Sequence, residues 1–275
     1  MKIKVLSAAV AISLALAAGS ASAIIVGGVD FGVQGLTNHI ETTTLAETLI
    51  LGDGQVLEGY GQINTVNGNL SYGVNPGDRL YFVFTNNPVN PNQYTSQNFS
   101  ATNVEFTGGV IDVYLGATFN LLSQDSLSNL ALIQAMTPWV SLTGHGDLGG
   151  GLPADVTLAG DGTLTGGSIS FTGSGLLDVD TSGAFGIASV AAFLDSDGEP
   201  DAAGGFADIA LTTSGNNSVL NEFDVCNGVA GEWCVSGSAD LRGLTSIPEP
   251  STVALLGLGL LGAGVVSRRR KEKKA

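Results

Sequence analysis

The stretch Val74-Asn-Pro-Gly-Asp-Arg-Leu-Tyr-Phe-Val-Phe-Thr-Asn-Asn-Pro-Val-Asn-Pro-Asn92 decides the architecture of this chain. Its middle, Arg79 to Thr85, is a short run of aromatic and β-branched residues, and both flanks are built from Asn, Pro and Gly. Such residues supply the fixed or positive φ of tight turns, so the run reads as one strand between two sharp loops. The same alternation of strand and turn extends outward in both directions. Thr42 to Leu51, Leu57 to Val66 and Val104 to Leu115 are strand-like, with Gly-Asp-Gly at 52 to 54 and Val-Asn-Gly-Asn at 66 to 69 between them. The expected fold class is all-β: an antiparallel β-sandwich-like ectodomain.

One segment of that ectodomain is expected to be helical. Gln124 to Met136 is rich in helix formers, Asp125 or Ser126 can cap its start, and Pro138 closes its end. Leu127, Leu130, Ile133 and Met136 recur every three residues, which suits one short helix covering a β core.

From Leu142 the chain becomes glycine-rich and a weak repeat emerges. Leu142-Thr-Gly-His-Gly-Asp-Leu, Leu158-Ala-Gly-Asp-Gly-Thr-Leu and Phe171-Thr-Gly-Ser-Gly-Leu-Leu share one form, and Val235-Ser-Gly-Ser-Ala-Asp-Leu echoes it. Spacings of 16 and 13 residues are too uneven for a strict solenoid. The copies therefore read as strands of one sheet with glycines at bulges or bends. Further on, Ile187 to Leu194 reads as β, Asp195 to Phe206 as a loop, and Ala207 to Thr213 and Cys234 to Leu241 as strands.

Charge narrows the function classes. Eight of the ten basic residues lie in the first four and last eight residues, so Ile24 to Ile247 holds 23 acids against Arg79 and Arg242, about −21, with no lysine. Such a surface repels nucleic acid and anionic sugars and favours solubility or divalent cations. Cys226 and Cys234 are the only cysteines, and an exported chain with an even count is expected to pair them.

Candidate chemistry is sparse. Asp195, Asp197 and Asp201, in Leu194-Asp-Ser-Asp-Gly-Glu-Pro-Asp201, place oxygens at positions one, three and seven with Gly198 at the turn, as a calcium loop would. The run resembles the D-x-D-G-x-x-D core of extracellular calcium repeats, and Asp208 lies close by; position twelve is Phe206 where an EF-hand has glutamate. An acidic hairpin loop that keeps strands from pairing with neighbours is the competing reading. Trp139, Trp233 and the five tyrosines are candidates for sugar stacking or for core packing. Gly257-Leu-Gly259-Leu-Leu-Gly262 matches the dinucleotide fingerprint in letters but sits in an apolar run with no strand before it. No catalytic constellation stands out, so no enzyme activity is expected.

The termini carry the clearest signals. Lys2 and Lys4, the apolar stretch Val5 to Ala18 and Ala21-Ser22-Ala23 have the order of a signal peptide, with the cut after Ala23. At the other end, Pro248-Glu249-Pro250 precedes an apolar run from Thr252 to Val266, fifteen residues long, and a basic cluster from Arg268 to Lys274. The run is expected to form a transmembrane helix whose basic end stays inside. Three parts follow: residues 1–23 as signal peptide, 24–244 as β-rich ectodomain, and 245–275 as a sorting signal.

Box, span and basic tail together resemble the C-terminal signal of the PEP-CTERM proteins of Gram-negative bacteria. Gly59-Tyr-Gly-Gln-Ile-Asn-Thr-Val-Asn-Gly68, Leu80-Tyr-Phe-Val-Phe84 and Ser236-Gly-Ser-Ala-Asp-Leu-Arg-Gly243 look like segments of flocculation-associated members. The resemblance implies export through an inner-membrane intermediate and processing by exosortase at or near Pro248, Glu249 and Pro250. It also implies residence at the cell surface or in the exopolysaccharide matrix, supporting floc or biofilm formation. A carbohydrate-binding module, which would need a solvent-facing aromatic row, and a secreted glycoside hydrolase remain alternatives.

Overall fold

A computed structural model describes residues 23–33, 37–84 and 92–244 of the chain. The expected signal peptide up to Ser22 and the expected sorting tail, with its box and transmembrane helix, lie outside the described residues. No helix among the described residues is long and apolar enough to cross a membrane.

The described strands, in chain order, are β1 (Ala23–Val26), β2 (Val29–Val33), β3 (Thr37–Glu47), β4 (Gly59–Gln62), β5 (Thr65–Val66), β6 (Asp78–Phe84), β7 (Thr95–Gln97) and β8 (Asn103–Thr107). There follow β9 (Val110–Ala117), helix α1 (Ser126–Gln134), β10 (Thr137–His145), β11 (Val156–Thr163) and β12 (Ser170–Val179). Helix α2 (Ala188–Leu194), β13 (Glu199–Pro200), β14 (Phe206–Ala207), β15 (Ile209–Asn216) and β16 (Val235–Leu244) complete the order.

The fold is mostly antiparallel β, as the turn punctuation predicts. The strands do not form two separate sandwich layers. Twelve of them belong to one sheet, ordered β10-β9-β6-β4-β3-β16-β15-β12-β11-β8-β7, with β5 on β3. A further pairing of β10 with the end of β12, from Leu142↔Val179 to His145↔Leu176, makes this sheet close on itself. Closure removes free edges along much of the sheet. Its interior is a continuous apolar core that includes Leu45, Phe82, Phe84, Tyr94, Leu158 and Leu177.

The four glycine repeats fall on β10, β11, β12 and β16, one sheet as expected. With a side-chain period of two, their apolar residues and glycines face inward together. Gly144 shows why no larger residue fits, because a Cβ there would stand 2.1 Å from the carbonyl oxygen of Gly108. The strand-like run Val104 to Leu115 divides at Gly108 and Gly109, whose φ values of 71° and 102° let the chain leave one part of the sheet for another.

Among the described residues two α-helices form where one was expected. Helix α1 lies within the predicted Gln124–Met136, with the Asp125 carboxylate accepting the Ser128 N–H at 2.9 Å as N-cap. It packs on the outer face of the sheet, where Leu130 and Ile133 meet Tyr60, Tyr81 and Tyr114. A buried polar network fixes it there. The Tyr60 hydroxyl accepts from the side-chain amides of Asn129 at 2.9 Å and Asn221 at 2.7 Å, and it pairs with the Ser126 hydroxyl. Ser126 in turn donates to Asp224 at 2.6 Å.

The segment Ile187–Leu194, expected to be β, is instead helix α2. Gly186, at φ 80°, turns the chain against Trp139, and the Ile187 N–H bonds the Trp139 carbonyl at 2.9 Å. From there Val190, Ala191, Phe193 and Leu194 are all buried, a helical spacing that reaches the core on one side.

Candidate functional site

The acidic loop after α2 is organised by Asp208, which is 4 % exposed. One oxygen of its carboxylate accepts the N–H groups of Ser196 at 2.6 Å and Asp197 at 2.8 Å, and the other accepts Val179 N–H at 2.8 Å. This curls the loop so that carboxylate oxygens of Asp195, Asp197 and Asp208 all lie within 4.8 Å of one another. Burial and the nearby charges of Asp208, Asp197 and Asp178 push the Asp195 carboxyl above its ordinary pKa.

Asp201 does not join that group. The short β13–β14 hairpin carries it away, and it accepts the Gly205 N–H at 2.7 Å and contacts His145 Nε2 at 3.1 Å. The calcium-loop set Asp195, Asp197 and Asp201 is therefore divided, with Asp208 standing where Asp201 was expected. The spacing hid this because Asp208 converges through its hydrogen bonds to the loop backbone and not through a place in the loop pattern.

His145 ties the hairpin to the sheet, since its Nδ1 lies 2.9 Å from Asp178 while Nε2 contacts Asp201. Burial works against a charged ring, but the bonds and charges of the two carboxylates outweigh it and raise the pKa. The ring should therefore titrate above 6.5 in an NMR pH series, and Asp201→Asn should lower that midpoint. An unchanged midpoint would show that the clasp does not form.

Cys226 and Cys234 are joined in a disulfide that staples the loop entering β16. Inside that loop the Glu232 carboxylate accepts the N–H groups of Asn227 at 2.6 Å and Val229 at 3.1 Å. Their bonds hold its pKa below the usual carboxylate value.

The aromatic residues weighed as sugar-stacking platforms are placed in the core. All five tyrosines are buried, Trp139 is 1 % exposed, and its indole N–H donates to the Gly27 carbonyl at 3.0 Å. Trp233 is partly buried against the ring of Tyr60.

An open concavity of about 670 Å³ is lined mostly by Thr, Ser, Asp and Glu side chains. It crosses β11, β12, β15, β16 and β3. One row of paired residues, Gly160, Gly173, Thr213, Ala239 and Thr42, runs through all five strands. Every member is small, and at least Thr42, Gly173, Thr213 and Ala239 also line interior cavities, so this row faces inward. The concavity is a trough on the outer surface over this row of small residues.

Outer rows on either side line the trough. One is Ala159, Ser174, Thr212, Asp240 and Glu41; the other includes Asp161, Thr172, Ser214 and Ser238. Glu41 and Asp240 stand at one end with His39, the three offering ligand atoms within 4.8 Å of one another. Asp161 stands at the other end, three strands from Asp240 or roughly 14 Å away. Arg242 bonds Asp240 at 2.5 Å.

Behind the trough lie two small apolar cavities of about 50 and 40 Å³, both lined by Glu47, Leu57, Leu158 and Thr213. Glu47 is 5 % exposed, and burial alone pushes its carboxyl up to about 7. The hydroxyl of Tyr94, which also lines the smaller cavity, is buried without a hydrogen-bond partner among the described residues.

These features define an acidic, disulfide-bonded β domain with a polar trough, continued in sequence by a box, an apolar run and a basic end. Residues 246–271 match the family described as the PEP-CTERM protein-sorting motif. The chain is thus a PEP-CTERM sorting-domain-containing protein, and the motif implies targeting by exosortase, export, and a place at the cell surface or outside the cell. No curated protein and no solved structure matches the chain.

Proposed function

We propose that the processed protein is a non-enzymatic component of the extracellular matrix, held there by association with exopolysaccharide and supporting floc or biofilm formation. The observation that carries this reading is the sorting motif at 246–271, which follows directly on a lysine-free acidic β domain. Exosortase would act at or near Pro248, Glu249 and Pro250 after the apolar run has held the chain at the inner membrane. Separation from the basic tail then leaves a polyanionic product, which would stay soluble among matrix polymers. The polar trough favours a glycan-binding mode that uses hydrogen bonds and charge in place of aromatic stacking.

Mass spectrometry of the extracellular protein tests the sorting step. The expected product ends near Pro248–Pro250, and a strain lacking exosortase should retain the tail in the membrane fraction. An extracellular chain with an intact C terminus would refute processing. Co-sedimentation of the extracellular protein with extracted matrix polysaccharide tests the association, and a protein left wholly in the supernatant would refute it.

A further inference from the structure

We propose that the trough across β11, β12, β15, β16 and β3 binds an oligosaccharide of amino sugars, a polyhydroxylated chain carrying protonated amines. This rests on the matrix-association reading and specifies its ligand.

Size is the first argument, because about 670 Å³ lies in the range of small-ligand clefts. The second is the state of its polar groups. Thr172, Ser174 and Thr212 are exposed side by side on paired strands, and their hydroxyls make no hydrogen bond with the described residues. They form an array of donors and acceptors with no internal use, Ser174 and Thr212 about 5 Å apart as a cross-strand pair and Thr172 roughly 7 Å from Ser174 along β12.

The third argument is charge. Glu41 and Asp240 close one end and Asp161 the other, while Arg242 and His39 stand beside Asp240 and the domain has no lysine. The Asp240 carboxylate, whose side chain is 18 % exposed, accepts from Arg242 Nε at 2.5 Å and stands 3.8 Å from His39 Nδ1. Acceptors and negative charge outnumber donors and positive charge, so the complementary ligand is rich in donors and cationic. Uronate, sulfated and phosphorylated glycans carry the wrong sign. No aromatic ring lines the trough, so binding should weaken as salt rises.

The test is isothermal titration of the extracellular protein with three oligomers of equal length: de-N-acetylated glucosamine, N-acetylglucosamine and a uronate. The first should bind, the second at least tenfold more weakly, and the third not at all. Glu41→Gln with Asp161→Asn should weaken binding of the first about tenfold, and Ser174→Phe, which fills the trough from an exposed strand position, should abolish it. Melting temperatures near wild type would confirm that the variants fold; if Ser174→Phe does not fold, the carboxylate pair decides. Equal binding by the carboxylate variant, preference for uronate, equal affinity for both glucosamine forms, or no binding by wild type would overturn the proposal. Co-sedimentation separates the two readings: if wild type and the variants pellet equally with extracted matrix, matrix association stands and the trough assignment falls. If wild type stays in the supernatant, matrix association falls, and the titration alone decides the trough.

Discussion

Glu47→Leu should stabilise the protein by roughly 3 kcal/mol above pH 7, a large fraction of the net stability of an ordinary domain. Glu47 occupies an inward position at the end of β3, between cavities otherwise lined almost wholly by apolar side chains. Burial raises its pKa from 4.5 to about 7. The unfolded chain releases this proton near pH 4.5, whereas the folded chain keeps it until about pH 7. Unfolding therefore releases a proton throughout that window, and stability falls as pH rises across it, then levels off. Denaturant unfolding of wild type and Glu47→Leu at pH 4.5, 6 and 8 measures the effect. The curves should diverge with rising pH, and Glu47→Gln, which keeps a polar group but loses the titration, should flatten the slope with a smaller gain. An unchanged slope in both variants would show that Glu47 is not the buried group responsible.

The second large effect is expected at Gly237, where alanine should cost about 3 kcal/mol or more. A Cβ at this position would lie 1.9 Å from the Ser214 carbonyl oxygen and 2.9 Å from Gly215 Cα. Those atoms are backbone of the neighbouring strand, so no side chain can swing aside, and the ladder itself must open. Gly167→Ala is the matched control, with no atom within 4 Å and no positive φ. It should leave thermal stability unchanged or slightly raised. If the two alanine variants melt together, the close approach of β15 and β16 is wrong.

Much of the sheet was legible because turn chemistry is local. The Asn, Pro and Gly boxes around Arg79 to Thr85 bracket the run that becomes β6, and Asp125 marks the start of α1 one residue before it begins. The repeat was legible as strands, but its consequence was not. Small inward residues on separate segments form one row beneath the trough only because register places Gly160 beside Gly173 and Thr213 beside Ala239, and register is a tertiary property. Helix α2 was misread as β because Ile187-Ala-Ser-Val-Ala-Ala-Phe-Leu194 is short and apolar, and such runs fit either period. The Asp208 contribution to the acidic loop and the burial of Glu47 depend on which face of a strand a charge meets. A bulge where β3 meets β16, between Gly237 and Ala239, upsets simple alternation before Glu47.

The pairing of β3 with β16 also bears on when the protein can fold. β3 begins at Thr37 and β16 ends at Leu244, two residues before the sorting motif begins, yet the two strands pair from Glu47↔Val235 to Thr37↔Leu244. A chain emerging N-terminus first would expose β3 early and present its partner last. The loop to be closed spans nearly the whole domain, which slows strand association. An exporter would therefore handle a chain whose circle of strands is still open, and completion of the fold would coincide with arrival of the sorting signal. Folding and sorting would then be consecutive events at one end of the same polypeptide.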